Sequence, residues 1–308
     1  MKVVVTGVSG FVGEHVAREF KSRGFFVIGT GHAETLSDTT ASVVDEYISL
    51  NLLDEKAINN RLSLKGVDVV IHLAGLASIG QSFNEPQRFI TENGIMTYNL
   101  LAKAASDGLE GRIICVSTGA LYDPAQALPL TEESRTNPNS PYAIGKLMAE
   151  DIARYFRMRG LDVITVRPFN HIGPGQQGSF LLPDLLEQLR AAKATGRLPV
   201  GNLDSKRDYT DVRDIARAYA ELALAPTLQY DMYNICSGTS VAGKTLLKLL
   251  QQITDIRDVK VVVDEKRIRP MDIDNIYGDA SRIHNETGWS PSIPLEQTIE
   301  DFVASQSK

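Results

Sequence analysis

Short apolar runs rich in valine and isoleucine alternate with longer runs of helical periodicity through the first half of the chain. Residues 2–6, 25–29, 47–50, 67–73, 113–116 and 162–166 read as buried strands, because apolar β-branched runs suit a strand covered on both faces. Residues 11–21, a segment after Asp54, residues 88–106 and residues 142–158 carry apolar positions three and four apart, which predicts amphipathic helices. Gly24 is placed to stop the first helix. Strand–helix alternation over about 165 residues predicts an α/β fold, a Rossmann-type doubly wound parallel sheet. After Arg167-Pro168 the rhythm changes. A turn-rich loop at 170–175 precedes a helix at 180–194, a short strand and turn at 200–203, and an amphipathic helix at 211–224. A strand at 232–236, a helix at 245–253, a strand at 259–263 and a closing helix at 294–305 follow. This second part predicts a smaller C-terminal α/β lobe.

The first strand runs into Gly7-Val8-Ser9-Gly10-Phe11-Val12-Gly13, and a helix follows. In a βαβ unit this pattern has a physical reason. Gly7 allows a tight turn, Gly10 lets backbone approach a pyrophosphate, and Gly13 lets the helix pack on the strand. The helix N-terminus offers unpaired N–H groups and a positive dipole end to the phosphates. A dinucleotide site is therefore expected here. At the end of the second strand a carboxylate would bind a ribose 2′-hydroxyl, whereas an arginine would accommodate a 2′-phosphate. This chain has Gly29-Thr30-Gly31-His32, with neither, and Glu34 and Asp38 come later. The missing carboxylate tilts the expectation toward NADP(H), with NAD(H) kept open.

Composition narrows the partners. The 308 residues are 43% hydrophobic and 23% charged, with a net charge of −6 and no basic block. Nucleic acid and anionic membranes are not expected partners. No apolar run reaches the length of a membrane span, and the first strand starts at Lys2, so neither an anchor nor a signal peptide is expected. Cys115 and Cys236 lack metal-ligand spacing and read as small buried hydrophobes, which suits a reducing cytoplasm. No metal site is expected.

Tyr142 and Lys146 lie four residues apart on one predicted helix, one turn from each other on the same face, with Pro141 at its first turn. A neighbouring ammonium is expected to lower the phenol's pKa toward neutrality, where it could exchange a proton with a carbonyl or alcohol. Strand C-terminal ends share one edge of a doubly wound sheet, so Gly7, Ala74, Thr118 and Arg167 should face one cleft. Thr118, Tyr142 and Lys146 would then place a hydroxyl, a phenol and an ammonium beside a nicotinamide, an arrangement suited to hydride transfer. His72, at the end of the fourth strand, reads as a satisfied core histidine.

At this point the chain resembles the extended short-chain dehydrogenase/reductases. The resemblance rests on Thr6-Gly7-x-x-Gly10-x-x-Gly13, His72-Leu73-Ala74-Gly75, Asn93, Ser117-Thr118, Tyr142-x-x-x-Lys146 and Arg167-Pro168, and it covers nearly the whole chain. Further motifs at 169–176, 200–203, 207–214, 233–238, Arg269-Pro270 and 287–291 are similar to those of members that reduce GDP-4-keto-6-deoxyhexoses. The resemblance implies catalytic Thr118, Tyr142 and Lys146. It implies cofactor contacts from Gly7, Ser9, Gly10, Phe11, Val12, Gly13, His32, Asn51, Leu52, Leu73, Ala74, Gly75, Asn93, Ser117, Lys146 and Pro168. Substrate contacts are implied for Ser78, Gln81, Thr118, Asn170, Asn202, Arg207 and Arg269. It also implies a dinucleotide-binding domain of residues 1–169 and 207–237, a nucleotide-sugar lobe of residues 170–206 and 238–308, and a homodimer through a four-helix bundle.

The 4,6-dehydratases of this family keep an acid just after the catalytic threonine, needed to eliminate water. Here Gly119 and Ala120 follow Thr118, and neither transfers a proton. The implied reaction is NAD(P)H-dependent reduction of the C4 ketone of a GDP-4-keto-6-deoxyhexose to a GDP-6-deoxyhexose such as GDP-D-rhamnose. A sugar-nucleotide 4-epimerase with tightly held NAD is the alternative. Asn51 stands where an aspartate often contacts adenine, Gly145 where a serine is frequent, and Asp123 where a glycine is usual; the last two are expected to leave the chemistry untouched. His171 reads as a structural hydrogen-bonder. Gly238-x4-Gly243-Lys244-Thr245 fits a phosphate-binding loop of nucleoside triphosphatases. Too little chain follows it to build the parallel sheet such a loop needs. A catalytically silent nucleotide sensor is disfavoured by the intact Thr118, Tyr142 and Lys146.

Overall fold

The computed structural model describes residues 1–178, 180–267 and 273–306. Its strands are β1 (Lys2–Thr6), β2 (Phe26–Gly31), β3 (Glu46–Ser49), β4 (Val69–His72), β5 (Arg112–Val116), β6 (Val163–Pro168), β7 (Asn170–Ile172), β8 (Arg197–Val200), β9 (Lys206–Asp211), β10 (Met232–Ile235), β11 (Ser240–Ala242), β12 (Lys260–Val263) and β13 (Asn275–Ile276). Its helices are α1 (Phe11–Ser22), α2 (Asp38–Ala41), α3 (Glu55–Arg61), α4 (Ile79–Ser82), α5 (Pro86–Asp107), α6 (Pro141–Met158), α7 (Leu181–Thr195), α8 (Val212–Leu224), α9 (Gly243–Thr254), α10 (Ser281–Thr287) and α11 (Leu295–Ser305).

Seven strands form one parallel sheet in the order β10-β6-β5-β4-β1-β2-β3. The order reverses between β1 and β4, and ligands of open α/β sheets bind outside the strand ends at such a point. Both faces are covered, which is why the strands are apolar throughout. Val3 and Val5 pack with Phe20 of α1, Tyr219 of α8 and Trp289 on one face. Val4 turns the other way, into a core with Ile58 of α3, Leu100 of α5 and Phe156 of α6. Caps set the helix starts. Asp54, Ser140 and Asp211 accept from the backbone N–H groups of Ala57, Ala143 and Arg213, each occupying an otherwise unpaired donor.

The lobe carries a second sheet, in which β9 pairs with β11, β13 and β7. A two-stranded sheet, β8 with β12, completes it. Sequence periodicity did not mark β9, because Lys206-Arg207-Asp208-Tyr209-Thr210-Asp211 is mostly polar. Its Asp208 is fully buried and accepts from Ser237 (2.8 Å), Gly238 (3.0 Å) and Gly278 (3.3 Å) backbone N–H groups. The loop expected at 170–175 begins with β7. Of the short strand and turn expected at 200–203, Val200 ends β8, which begins earlier at Arg197, and 201–203 leave the strand.

The phosphate-loop look-alike is not a loop. Ser240–Ala242 within it is β11, paired antiparallel with β9, and Lys244 is exposed and bonded to Asp204 (2.8 Å). A strand in mid-motif cannot wrap its N–H groups around a phosphate.

Candidate active site

Gly7 adopts φ +71°, and a side chain there would meet Ala74 backbone atoms at 3.0 Å. A Cβ on Gly13 would lie 2.3 Å from the Gly7 carbonyl oxygen. The turn therefore lies flush against the end of β4 and the first turn of α1. Gly10 caps α1 without a side-chain acceptor, which leaves the helix's first N–H groups at the switch point without a side-chain cap from that residue. This cradle fits a dinucleotide pyrophosphate. Past it, a Cβ on Gly31 would approach Ser9 Oγ (3.0 Å) and Tyr47 Oη (3.1 Å). A side chain at position 31 would press on both hydroxyls, and His32 next to it is exposed.

The floor of the site is a polar relay under β4. Thr6 Oγ1 accepts from the Ala74 N–H (3.2 Å) and lies 2.9 Å from His72 Nδ1. His72 Nε2 lies 3.1 Å from Thr97 Oγ1, which donates to the Asn93 carbonyl (2.9 Å). One proton arrangement satisfies every member: Thr6 donates to Nδ1, and Nε2–H donates to Thr97. Burial and the Lys146 charge hold His72 down at about 3, so it stays neutral and structural. Asn93 clamps the following loop, accepting from Leu76 N–H (2.8 Å) and donating to Leu76 O (3.2 Å).

Tyr142 and Lys146 are both buried on α6. Lys146 Nζ donates to the Val116 carbonyl at the end of β5 (2.9 Å), and a Cβ on Gly75 would lie 3.4 Å from Nζ and 3.0 Å from Asn93 Oδ1. Burial pushes the Lys146 ammonium down to about 8. Thr118 is buried, accepts from the Ala120 N–H (3.1 Å) and hydrogen-bonds the Tyr142 phenol. The expected lowering of that phenol by Lys146 is corrected: burial raises its pKa, and the Thr118 bond offsets only part of the rise. The ammonium is drawn to the Val116 carbonyl instead. Ser117 Oγ is buried without a partner among the described residues. A buried hydroxyl left unpaired is costly.

Contacts thus join Gly31, Ser9, Gly7, Ala74, Gly75, Asn93, Lys146, Thr118 and Tyr142 into one cleft. Buried Pro168 and Leu52 lie beneath sheet ends, and Leu52 O accepts from Asn99 (2.8 Å). Asn51 is exposed and turns back on the Leu53 N–H (3.0 Å). Ser78 caps α4, and Gln81 is exposed beside it. Asn170 is exposed at the start of β7, opposite Tyr209. Arg207 follows on β9, donating to the Ile273 carbonyl (2.5 Å), and Asn202 lies on the exposed turn before it. Arg269 falls outside the described residues. His171 donates locally to the Phe169 carbonyl (3.1 Å) and stacks on Phe11, joining the lobe to the glycine turn.

Two features escaped sequence reasoning. A Cβ on Gly119 would lie 2.9 Å from the Phe169 ring, so the position after Thr118 is closed to any side chain. Arg167 forks onto Glu150 with two bonds, 2.8 and 2.6 Å. Glu150 sits one turn beyond Lys146, and the Tyr142-x3-Lys146-x3-Glu150 spacing was the available signal.

Comparison with known proteins agrees with this geometry. Residues 4–302 match the family model described as GDP-mannose 4,6 dehydratase. The chain is 33% identical to GDP-6-deoxy-D-mannose reductase of Pseudomonas aeruginosa, over 98% of this chain and 96% of that one. Among solved structures it is similar to RMD from Pseudomonas aeruginosa complexed with NADPH (TM-score 0.84, 30% identity, 99% and 98% coverage). It is also similar to UDP-glucose 4-epimerase with UDP-glucose from Thermotoga maritima (TM-score 0.89, 28% identity, 100% and 99% coverage). The chain belongs to the GDP-mannose 4,6 dehydratase family of extended short-chain dehydrogenase/reductases.

Proposed function

We propose that this protein is an NAD(P)H-dependent reductase of the C4 ketone in a GDP-4-keto-6-deoxyhexose, yielding a GDP-6-deoxyhexose of the GDP-D-rhamnose type. The observation that carries it is the pairing of an intact Thr118–Tyr142–Lys146 set with a closed position 119. A bound reduced nicotinamide supplies the hydride. The Thr118 hydroxyl orients the substrate oxygen. Tyr142, kept protonated by burial, gives its proton to that oxygen as negative charge develops there. Lys146, anchored on Val116 O, stabilises the phenolate left behind and holds the nicotinamide ribose. Reduction begins with Tyr142 protonated, so a raised phenol pKa suits this direction. Elimination of water would need a further proton-transfer group, which neither Gly119 nor Ala120 supplies, and Phe169 fills the space beside Gly119. The likeness to a 4-epimerase structure keeps a second reading: the same three residues would oxidise and re-reduce C4 with the cofactor retained.

Substrate recognition falls to Ser78, Gln81, Asn170, Asn202, Arg207 and Arg269 on this reading. Residues through 169 together with α8 and β10 form the dinucleotide domain; β9 shares the lobe's sheet, so the chain returns to the first domain at about residue 212. A cytoplasmic homodimer completes the proposal. Ile95 and Tyr98 of α5 and Ile144, Met148 and Tyr155 of α6 are 40–51% exposed, which makes one apolar face on paired helices. Four-helix packing against a second copy would bury it.

The test mixes purified protein with GDP-4-keto-6-deoxymannose and either NADPH or NADH, following cofactor absorbance and product. Stoichiometric oxidation with formation of the 6-deoxyhexose supports the reductase. Isomerisation of a nucleotide sugar at constant absorbance, with no oxidation of either cofactor, refutes it in favour of the epimerase.

A further inference from the structure

Glu150 and Arg167 take no part in the steps above, yet both side chains are nearly inaccessible, at 7% and 5% exposure. The guanidinium forks onto the carboxylate and lies 4.8 Å from the Tyr122 ring centroid. Desolvating such a pair costs about as much as its attraction returns, and apolar replacements are often no less stable. Its placement points elsewhere. Tyr142, Lys146 and Glu150 follow at four-residue intervals along one face of α6, so Glu150 lies one turn beyond the buried ammonium. The fork pins that turn of α6 to the C-terminal end of β6.

The groups facing Lys146 are few. Cys115 comes from β5, His72 from β4, Tyr142 and Glu150 from α6 itself, and Arg167 from β6 beyond Glu150. Burial raises the Cys115 thiol to about 12 and holds His72 at about 3. Burial also raises the Tyr142 phenol. All three are therefore uncharged near neutral pH. Among them Glu150 is the group whose negative charge favours the ammonium. The two Arg167 bonds fix that carboxylate in place, one turn of α6 from Lys146.

We propose that the Glu150–Arg167 pair is a positioning device that fixes a carboxylate one turn from Lys146 and holds α6 in register with the end of β6. The inference rests on the reading above only in assigning Lys146 to the dinucleotide. Its readout is cofactor affinity, so the identity of the sugar does not enter.

NADPH and NADH dissociation constants are measured by fluorescence from pH 6 to 10, with thermal stability recorded for every variant. The wild type loses affinity as pH passes about 8. Glu150→Gln moves that loss at least about half a pH unit lower and leaves affinity at pH 6.5 within about threefold. Glu150→Asp, which keeps the charge, holds the wild-type position. Should Glu150→Gln fail to fold, Glu150→Met serves in its place and shifts the loss the same way, because it too removes the charge. A merely structural pair would weaken binding equally at every pH, and that outcome, or a wild type without this loss, overturns the inference. A wild type that binds neither dinucleotide refutes the reductase reading as well.

Discussion

Gly145 lies on α6 between Tyr142 and Lys146, where α6 crosses α5. A methyl group there would sit 2.1 Å from the Phe89 carbonyl oxygen and 3.3 Å from Ile90 Cα. Real Cβ contacts essentially never fall below 3.0 Å. Both atoms struck belong to the backbone of α5, so no rotamer change relieves the clash. Gly145→Ala must part the helices by the difference, about 0.9 Å. Tyr142 and Lys146 move with α6, whereas Thr118, Val116 and the Asn93-clamped loop stay with other elements. A misplacement of about 1 Å costs on the order of 10²-fold in rate, or about 2.7 kcal/mol of transition-state stabilisation. Overpacking itself costs about 1–3 kcal/mol of stability, which lowers Tm by roughly 2–10 °C for a chain of this size. The assay measures kcat/KM for ketone reduction and Tm on one preparation. A variant within about threefold of wild-type kcat/KM, with Tm unchanged, refutes the claim that the α5–α6 crossing sets the geometry of the site.

Tyr142→Phe should lose about 10²–10⁴-fold in kcat, the usual worth of a general acid, while still binding dinucleotide in a direct titration; near-normal turnover removes Tyr142 from its role. Reduction requires protonated Tyr142 and Lys146, and Lys146 deprotonates first, so kcat/KM should fall as pH rises through about 8 and hold below it; a plateau to pH 9.5 contradicts the assignment. Tyr98→Glu places a charge on the exposed α5–α6 face and should convert a dimer of twice 33.7 kDa to monomer in sedimentation; a wild type that is already monomeric removes that interface. Lys244→Ala removes only an exposed ion pair with Asp204 and should leave turnover within about twofold; a large loss of activity would reopen the phosphate-loop reading.

What the sequence disclosed follows from which interactions are local. The seven-stranded sheet was legible because its strands are covered on both faces and so are apolar without interruption, as at Val3-Val4-Val5. The glycine turn and the Tyr142–Lys146 pair were legible because they depend on spacing along one segment. β9 was not, because it is mostly polar and its buried Asp208 is satisfied by N–H groups of residues 237, 238 and 278, distant in sequence. Gly145 passed as a neutral departure for the same reason: the oxygen that excludes a side chain belongs to Phe89, on another helix. The phenol's shift was misjudged in sign. Spacing places an ammonium near Tyr142, but it says nothing of the Val116 carbonyl that draws Lys146 away or of the burial that dominates.

Membership in a family named for a dehydratase and the proposed single reduction are consistent once position 119 is considered in three dimensions. Both reactions use hydride exchange at C4 and the same hydroxyl, phenol and ammonium; elimination adds one proton-transfer group beside the threonine. In this chain the space beside Gly119 is filled by Phe169, the residue between β6 and β7. The Phe169 ring is held between Gly119 and Gly278, where Cβ atoms would fall 2.9 and 2.5 Å from it, and it stacks on Tyr122 at 6.1 Å. With glycine on both sides and Tyr122 fully buried behind it, the ring has nowhere to go. A carboxylate cannot be restored at 119 by one substitution, because Phe169 would have to be displaced from a packed cluster with Leu130, Cys236 and Ile276. The Pro168-Phe169-Asn170 junction, whose ring fills the space beside Gly119, is also where the chain crosses from the dinucleotide sheet to the first strand of the lobe.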